Sequence, residues 1–322
     1  MRTQRHPHPD GPIPVLGKSP RLVPAALALV SAIMLSACTL IAPVHSYYDR
    51  EICFTSATPG SFDVWGYNHV PDDSTRNNVI FNREPVSFEN GTWIYADTRY
   101  WIPQMTYNFY AVAPTATAAE LRTSNEEPWH LTISRYDIST LAESGTSADL
   151  KLACVSGLIF DPDNQPVGPS SVHFNFNCLL ASISITLERK TGSETGAEAD
   201  AGDLSAMIVG LPRYGTFSSR NYDPTDESTA NSCWTLSQET YTETRLTGLP
   251  VFPQVLDGSI ALNLSGLPTA DRDGDGREGD TAIIRLSTPT GLWEAGIHYH
   301  YTFTVEEDGT LRHGDPETEP LD

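Results

Sequence analysis

The stretch HYHYTFTV, His298 to Val305, alternates without a break: Tyr299, Tyr301, Phe303 and Val305 fall on one face, and His298, His300, Thr302 and Thr304 on the other. A period of two in aromatic and β-branched residues is a strand, and one polar face predicts a half-buried, antiparallel one. The same pattern recurs at Phe62/Val64, Tyr107/Phe109/Ala111, Ile260/Leu262/Leu264 and Ala282/Ile284/Leu286. Asn90-Gly91, Asp257-Gly258 and Asp308-Gly309 supply turn chemistry between such runs. No long stretch carries a 3.6-residue period, so the chain reads as all-β.

Val172 to Leu187 refines this. Its apolar parity is even through Phe174, Phe176, Cys178 and Leu180, then odd through Ile183, Ile185 and Leu187. A one-residue slip reads as a bulge or as a bend between two sheets, which suits a β-sandwich. Asp161 to Ser171 is rich in Pro, Asp and Ser and reads as a linker, and Lys190 to Asp203 as a long exposed loop. The expected organisation is one sandwich over 47–168, a second over 169–314, and an acidic, frayed tail over 315–322.

The N-terminus is an export signal. Arg2, Arg5, Lys18 and Arg21 flank the apolar run Leu22 to Leu35, which is too short to span a bilayer. Leu35-Ser36-Ala37-Cys38 resembles the lipobox of bacterial lipoproteins, so residues 1–37 are expected to be removed and Cys38 to carry a diacylglyceryl thioether and further acyl chains (palmitate) on a tether over 38–46. At about 0.8 kcal/mol per buried methylene, two or three acyl chains anchor a protein essentially irreversibly.

The chain holds 41 acidic and 20 basic residues, for a net charge of −21, and loss of the signal makes the remainder more acidic still. Such a surface repels phosphate, which excludes nucleic acid as a partner. Beyond Cys38 stand Cys53, Cys154, Cys178 and Cys233, which in an oxidising compartment could form up to two disulfides with three pairings open. Their spacing fits no Cys-x-x-Cys motif, and Cys178 in its apolar run reads as a buried thiol.

The order of motifs resembles a family. Phe62-Asp-Val-Trp-Gly-Tyr67 is followed by Asn90-Gly-Thr-Trp-Ile-Tyr95, Tyr100-Trp-Ile-Pro103 and Tyr107-Asn-Phe-Tyr-Ala-Val-Ala-Pro114. Asp149-Leu150, the run from Phe174 to Leu180, Pro253-Gln254 and Trp293 to Tyr301 complete it. This order is similar to that of the fimbrillin family of Bacteroidetes surface lipoproteins, in its Mfa-like branch. The resemblance implies two tandem transthyretin-like β-sandwich domains behind a lipoprotein signal peptide. It also implies a fimbrial (pilus) subunit or fimbria-like adhesin at the outer membrane and cell surface. Implied partners are other fimbrial subunits, joined by β-strand exchange, and host or bacterial surface receptors. A surface protease in the family removes an N-terminal strand. Here Arg50 and Arg76 are the candidate cutting points, and Arg76 is favoured because Pro71 to Asn78 reads as a polar loop. Cys178 stands where relatives carry His. The sequence after His313 also lacks the further strand and Trp of many relatives, which suits a terminal or anchor subunit better than a shaft subunit. The alternative reading is an outer-membrane lipoprotein that captures glycans.

A few other residue groups could carry chemistry. Asp271, Asp273 and Asp275, with Gly276, match the first half of a calcium loop, but position 12 is Ala282, and a solvated acidic loop is the simpler reading. His298 and His300 share a face that could hold Zn²⁺ given a third ligand, and the polar face of an edge strand explains them equally. The tryptophans could stack sugars, although strand aromatics more often fill cores. There is no Gly-x-Ser-x-Gly, no His-Glu-x-x-His, no phosphate loop and nothing to single out a carboxylate pair, so no enzyme is expected.

Overall fold

A computed structural model describes residues 50–57, 60–71, 73–115, 117–123, 129–144, 150–160, 171–190, 204–226, 228–267, 280–306 and 310–321. Cys38, the calcium-loop residues Asp271, Asp273 and Asp275, the turn at Asp308-Gly309, and most of the expected linker and acidic loop lie outside them. The first half runs β1 (Phe54–Ser56), β2 (Phe62–Val70), β3 (Asp73–Glu89), β4 (Thr92–Ile94), β5 (Thr106–Ala113), β6 (Ala119–Arg122), β7 (His130–Asp137), β8 (Lys151–Ile159), β9 (Val172–Phe174) and β10 (Asn177–Cys178). The second runs β11 (Ala181–Arg189), β12 (Ser205–Pro212), β13 (Tyr214–Ser218), β14 (Trp234–Leu236), β15 (Thr240–Glu243), β16 (Leu249–Val251), β17 (Gln254–Val255), β18 (Ala261–Leu267), β19 (Asp280–Arg285), β20 (Leu292–Trp293), β21 (Ile297–Val305), β22 (Leu311–His313) and β23 (Glu317–Pro320).

One sheet has the order β10-β8-β5-β2-β3-β4. Its central strand β2 is covered on both faces. Phe62 and Val64 join Phe81, Phe109, Ala111 and Phe174 in one core. From the other face Trp65, with Val112 and Leu152, meets Leu131, Ile133, Phe217 and Trp234 of the sheet β14-β13-β7-β6. The alternation at Phe62/Val64 thus marks only one face of a strand buried twice. The four-stranded sheet joins residues from the two halves, since β7 pairs antiparallel with β13 from Thr132↔Ser218 to Asp137↔Tyr214. That ladder crosses the expected boundary at 168/169, and contacts gather the described residues from Arg50 onward into one compact unit.

A sandwich follows. Ile183, Ile185, Tyr299, Tyr301 and Phe303 of the sheet β16-β11-β21-β22 pack on Ile208, Leu262 and Leu264 of the sheet β15-β12-β18-β19. Each such side chain contributes about 1.5–3 kcal/mol on burial, which makes this layer the main support of the second half. The parity slip predicted within Val172 to Leu187 falls where the chain changes sheets. β9, β10 and β11 lie in three different sheets, and the fully buried Leu179 and Leu180 stand at the crossing.

Three expectations are corrected. The strand His298 to Val305 is neither purely antiparallel nor an edge: it runs parallel to β11 from Ser182↔His298 to Arg189↔Val305, and antiparallel to β22 and β23 on its other side. A polar face does not distinguish these cases, because it reports solvent above the sheet and not neighbours within it. The acidic tail 315–322 is not frayed through the described residues, and a further strand does follow His313, though without a Trp: Glu317 to Pro320 pair with His300 to Ile297, and Leu321 N–H donates to Gly296 O at 2.7 Å. All four β23 side chains are exposed, so backbone bonding holds the strand without any apolar alternation to betray it. Arg76 lies inside β3 and not in a loop, because the turn closes at Pro71 and the polar residues after it are the outer end of a hairpin with β2.

Candidate assembly site

The segment from Arg50 to Ser56 fills a slot. Ile52 and Phe54 point inward, 1% and 3% exposed, while Cys53 between them points out. The Phe54 ring lies 5.2 Å from Phe81, 5.5 Å from Tyr95, 6.0 Å from Phe109 and 5.6 Å from Phe174, centroid to centroid. Both backbone edges are used. On one side Ile52 N–H donates to Arg99 O at 2.8 Å, and Trp101 N–H to Arg50 O at 2.9 Å. On the other, Val172 N–H donates to Cys53 O at 2.7 Å, and β1 runs parallel to β9 from Phe54↔Val172 to Ser56↔Phe174. The Tyr95 hydroxyl donates to Ile52 O at 2.7 Å. Burial pushes its pKa up, so it remains a donor at any physiological pH.

The slot is made by the motifs read from sequence. Asn90 and Gly91, at φ +51° and +83°, close the β3–β4 hairpin that carries Trp93 and leads to Tyr95. Trp101 is 1% exposed and stacks edge-on to Tyr107 at 4.6 Å. Gly66 makes room for the floor: a Cβ there would lie 2.8 Å from the Phe109 ring. Two buried apolar side chains at about 1.5–3 kcal/mol each, with several hydrogen bonds at roughly 1 kcal/mol, hold this segment by several kcal/mol. Emptied, the slot would present an aromatic floor between two unpaired backbone edges, the geometry that accepts an added strand.

The candidate cutting points sit badly for emptying it. Arg50 is already inside the slot, with its carbonyl bonded to Trp101. Arg76 projects from β3, 3.4 Å from Asp73, and the strand a cut there would have to free, β2, is locked between β5 and β3. Ala57 to Ser61, which join β1 to β2, contain no Lys or Arg.

The remaining candidates disperse. His300 Nε2 lies 2.7 Å from the Thr186 hydroxyl, and His298 faces Glu319. Burial lowers the His298 pKa, and Glu319 only partly restores it. Among the described residues no three His, Cys, Asp or Glu side chains converge as metal ligands. Trp65, Trp101, Trp234 and Trp293 are core residues, which leaves Trp93 and Trp129 half-buried. None of Cys53, Cys154, Cys178 and Cys233 is in a disulfide. No helix among the described residues is long and apolar enough to cross a membrane. Ile52 to Thr55 reads as a short strand from its sequence, but the slot around it does not, because a parallel partner 118 residues away leaves no local signal.

The chain matches the fimbrillin-like family over residues 57–320. It is similar to a putative cell adhesion protein of Bacteroides uniformis at 18% identity and a TM-score of 0.53, over 85% of this chain and 99% of that one. It is also similar to a fimbrial protein of Bacteroides vulgatus (13%, TM-score 0.49, 85% and 100%) and to a fimbrilin of Porphyromonas gingivalis (10%, TM-score 0.46, 84% and 96%). No curated protein matches it by sequence. With the family matched across both halves of an all-β chain, this protein belongs to the fimbrillin-like family.

Proposed function

We propose that this fimbrillin-like chain is a fimbrial subunit or fimbria-like adhesin, held at the outer membrane through lipidated Cys38 and joined to other subunits by strand exchange. The observation that carries the assembly reading is the slot, in which a short N-terminal segment is bonded along both edges over an aromatic floor. In a subunit whose slot is emptied, a neighbour's strand would replace those bonds and that apolar contact in kind, and here the chain's own segment holds that place. The tandem arrangement of two sandwiches belongs to the same proposal, with the β7–β13 ladder as the seam between them.

Within that scheme the chain serves as a terminal or anchor subunit. An arginine-specific cut at Arg50 leaves Ile52 and Phe54 in place, and one at Arg76 meets a paired strand. The slot therefore stays filled, and this subunit accepts no strand there. β23 is held less tightly: its own four side chains are exposed and only the flanking Pro316 and Leu321 pack inward, so it can leave at lower cost than β1 and pair elsewhere. Receptors on host or bacterial surfaces are the remaining partners of such an adhesin.

The test is labelling in the electron microscope. Antibody against the chain should mark filament ends or bases, and Cys38→Ala should release the label from the membrane fraction. Label spread evenly along filaments would overturn the anchor reading. Glycan binding with no filament label would overturn assembly.

A further inference from the structure

We propose that Cys154 and Cys233 form a disulfide that pins the six-stranded sheet to the four-stranded sheet across their shared core.

Sheet register separates the cysteines. On β8, Leu152 and Cys154 face the core of Trp65, Phe217 and Trp234, whereas Ala153 and Val155 face the core of Phe54 and Phe109. Cys178 on β10 stands opposite Lys151, on the Ala153 side of the sheet, and so points away from Cys154. Cys53 belongs to the slot segment beyond that far core. Cys233 is 7% exposed and lies in the same core that Cys154 packs against.

The lateral position also agrees. Cys154 is the cross-strand neighbour of Tyr110, whose hydroxyl reaches the facing layer, donating to Trp129 O at 3.2 Å beside Leu131. Ser219 in turn accepts Leu131 N–H at 2.8 Å, and the adjoining Ser218 N–H donates to Cys233 O at 3.0 Å. The two cysteines therefore approach the same Trp129–Leu131 and Ser218–Ser219 corner from opposite layers. Burial raises the Cys154 pKa, and a thiolate at Cys233 would raise it further.

The chemistry balances with an oxidant disulfide such as glutathione disulfide. The two protein thiols lose two protons and two electrons, one S–S bond forms, and the oxidant's S–S bond breaks to give two thiols. Because burial suppresses the reactive thiolate, the bond closes during folding, before the core shuts. Its occurrence in cells rests on the export reading above, since only an oxidising compartment maintains it.

The experiment refolds the reduced full chain in a glutathione redox buffer, blocks remaining thiols with N-ethylmaleimide, and maps the peptides. Cys154 and Cys178 share one tryptic peptide ending at Arg189, so cleavage before Asp161 is needed to separate them. Expected is a linked pair of peptides carrying Cys154 and Cys233, retained in Cys178→Ser and lost in Cys154→Ser and in Cys233→Ser. Reduction should lower Tm by roughly 10 °C, as the bond closes a long loop. Alkylated Cys154 and Cys233, or a link from either to Cys53 or Cys178, would overturn the proposal. A parallel arm traps thiols in intact cells: a link formed on refolding but absent from cells counts against export and leaves the pairing standing.

Discussion

Gly66 and Asp137 show how single residues hold the layers. Gly66 lies under the Phe109 and Phe81 rings with no space for a Cβ. Gly66→Ala should therefore cost about 1–3 kcal/mol through forced ring displacement, read as a lower urea midpoint at unchanged slope. Phe54→Ala should cost more, about 3–5 kcal/mol, because it leaves a void among four rings. Asp137 sits at the β7–β13 seam. Burial raises its pKa, but hydrogen bonds from Ser139 and from Arg213, 3.2 Å away, outweigh that and hold the carboxyl below the usual range. With the folded pKa depressed, its contribution is present above the unfolded value near 4 and disappears as pH falls through the folded value. Stability measured between pH 5 and pH 3 should thus fall less steeply in Asp137→Asn than in the wild type. An equal slope in both would remove Asp137 from the account.

At the scale of elements, legibility followed burial. β21 could be read because its Tyr and Phe residues alternate over a solvated face, and the parity slip around Leu179 marked the change of sheet. β23 could not be read, since all four of its side chains face solvent and its order comes from the backbone ladder and the flanking Pro316 and Leu321. The polar outer end of β3 misled for the same reason, and it drew Arg76 into a loop that is a strand. Of the candidate site, Trp93, Tyr95 and Trp101 were visible as motifs and Ile52 to Thr55 as a short strand, but not that they fit together, because the parallel pairing with β9 is long-range. The contrast between β1 and β23 has a measurable consequence. Truncation after Pro316 should leave the chain folded, with Tm lowered by only a few degrees. Deletion of residues 50–56 should instead expose the Phe81, Phe109 and Phe174 floor, raise binding of an apolar dye and promote self-association. Equal effects of the two deletions would contradict the assignment of roles.

For the whole molecule, the ladder between β7 and β13 couples what the sequence divides into two halves, and no local pattern near residue 168 could announce a pairing of such long range. One consequence is cooperativity: the described residues should unfold in a single calorimetric transition, and a fragment ending at residue 168 should not fold, lacking the partners of Leu131 and Ile133. The other concerns assembly. If the N-terminal segment stays in its slot, this chain is an end of the fimbria and not a repeating link. The most direct measurement is the N-terminus of the protein recovered from cell-surface fimbriae, by mass spectrometry and sequencing. The account predicts an intact chain beginning at lipid-modified Cys38, with Ile52 and Phe54 still attached. A free N-terminus at Asn77, the residue after Arg76, would show that the slot had been opened and would contradict it.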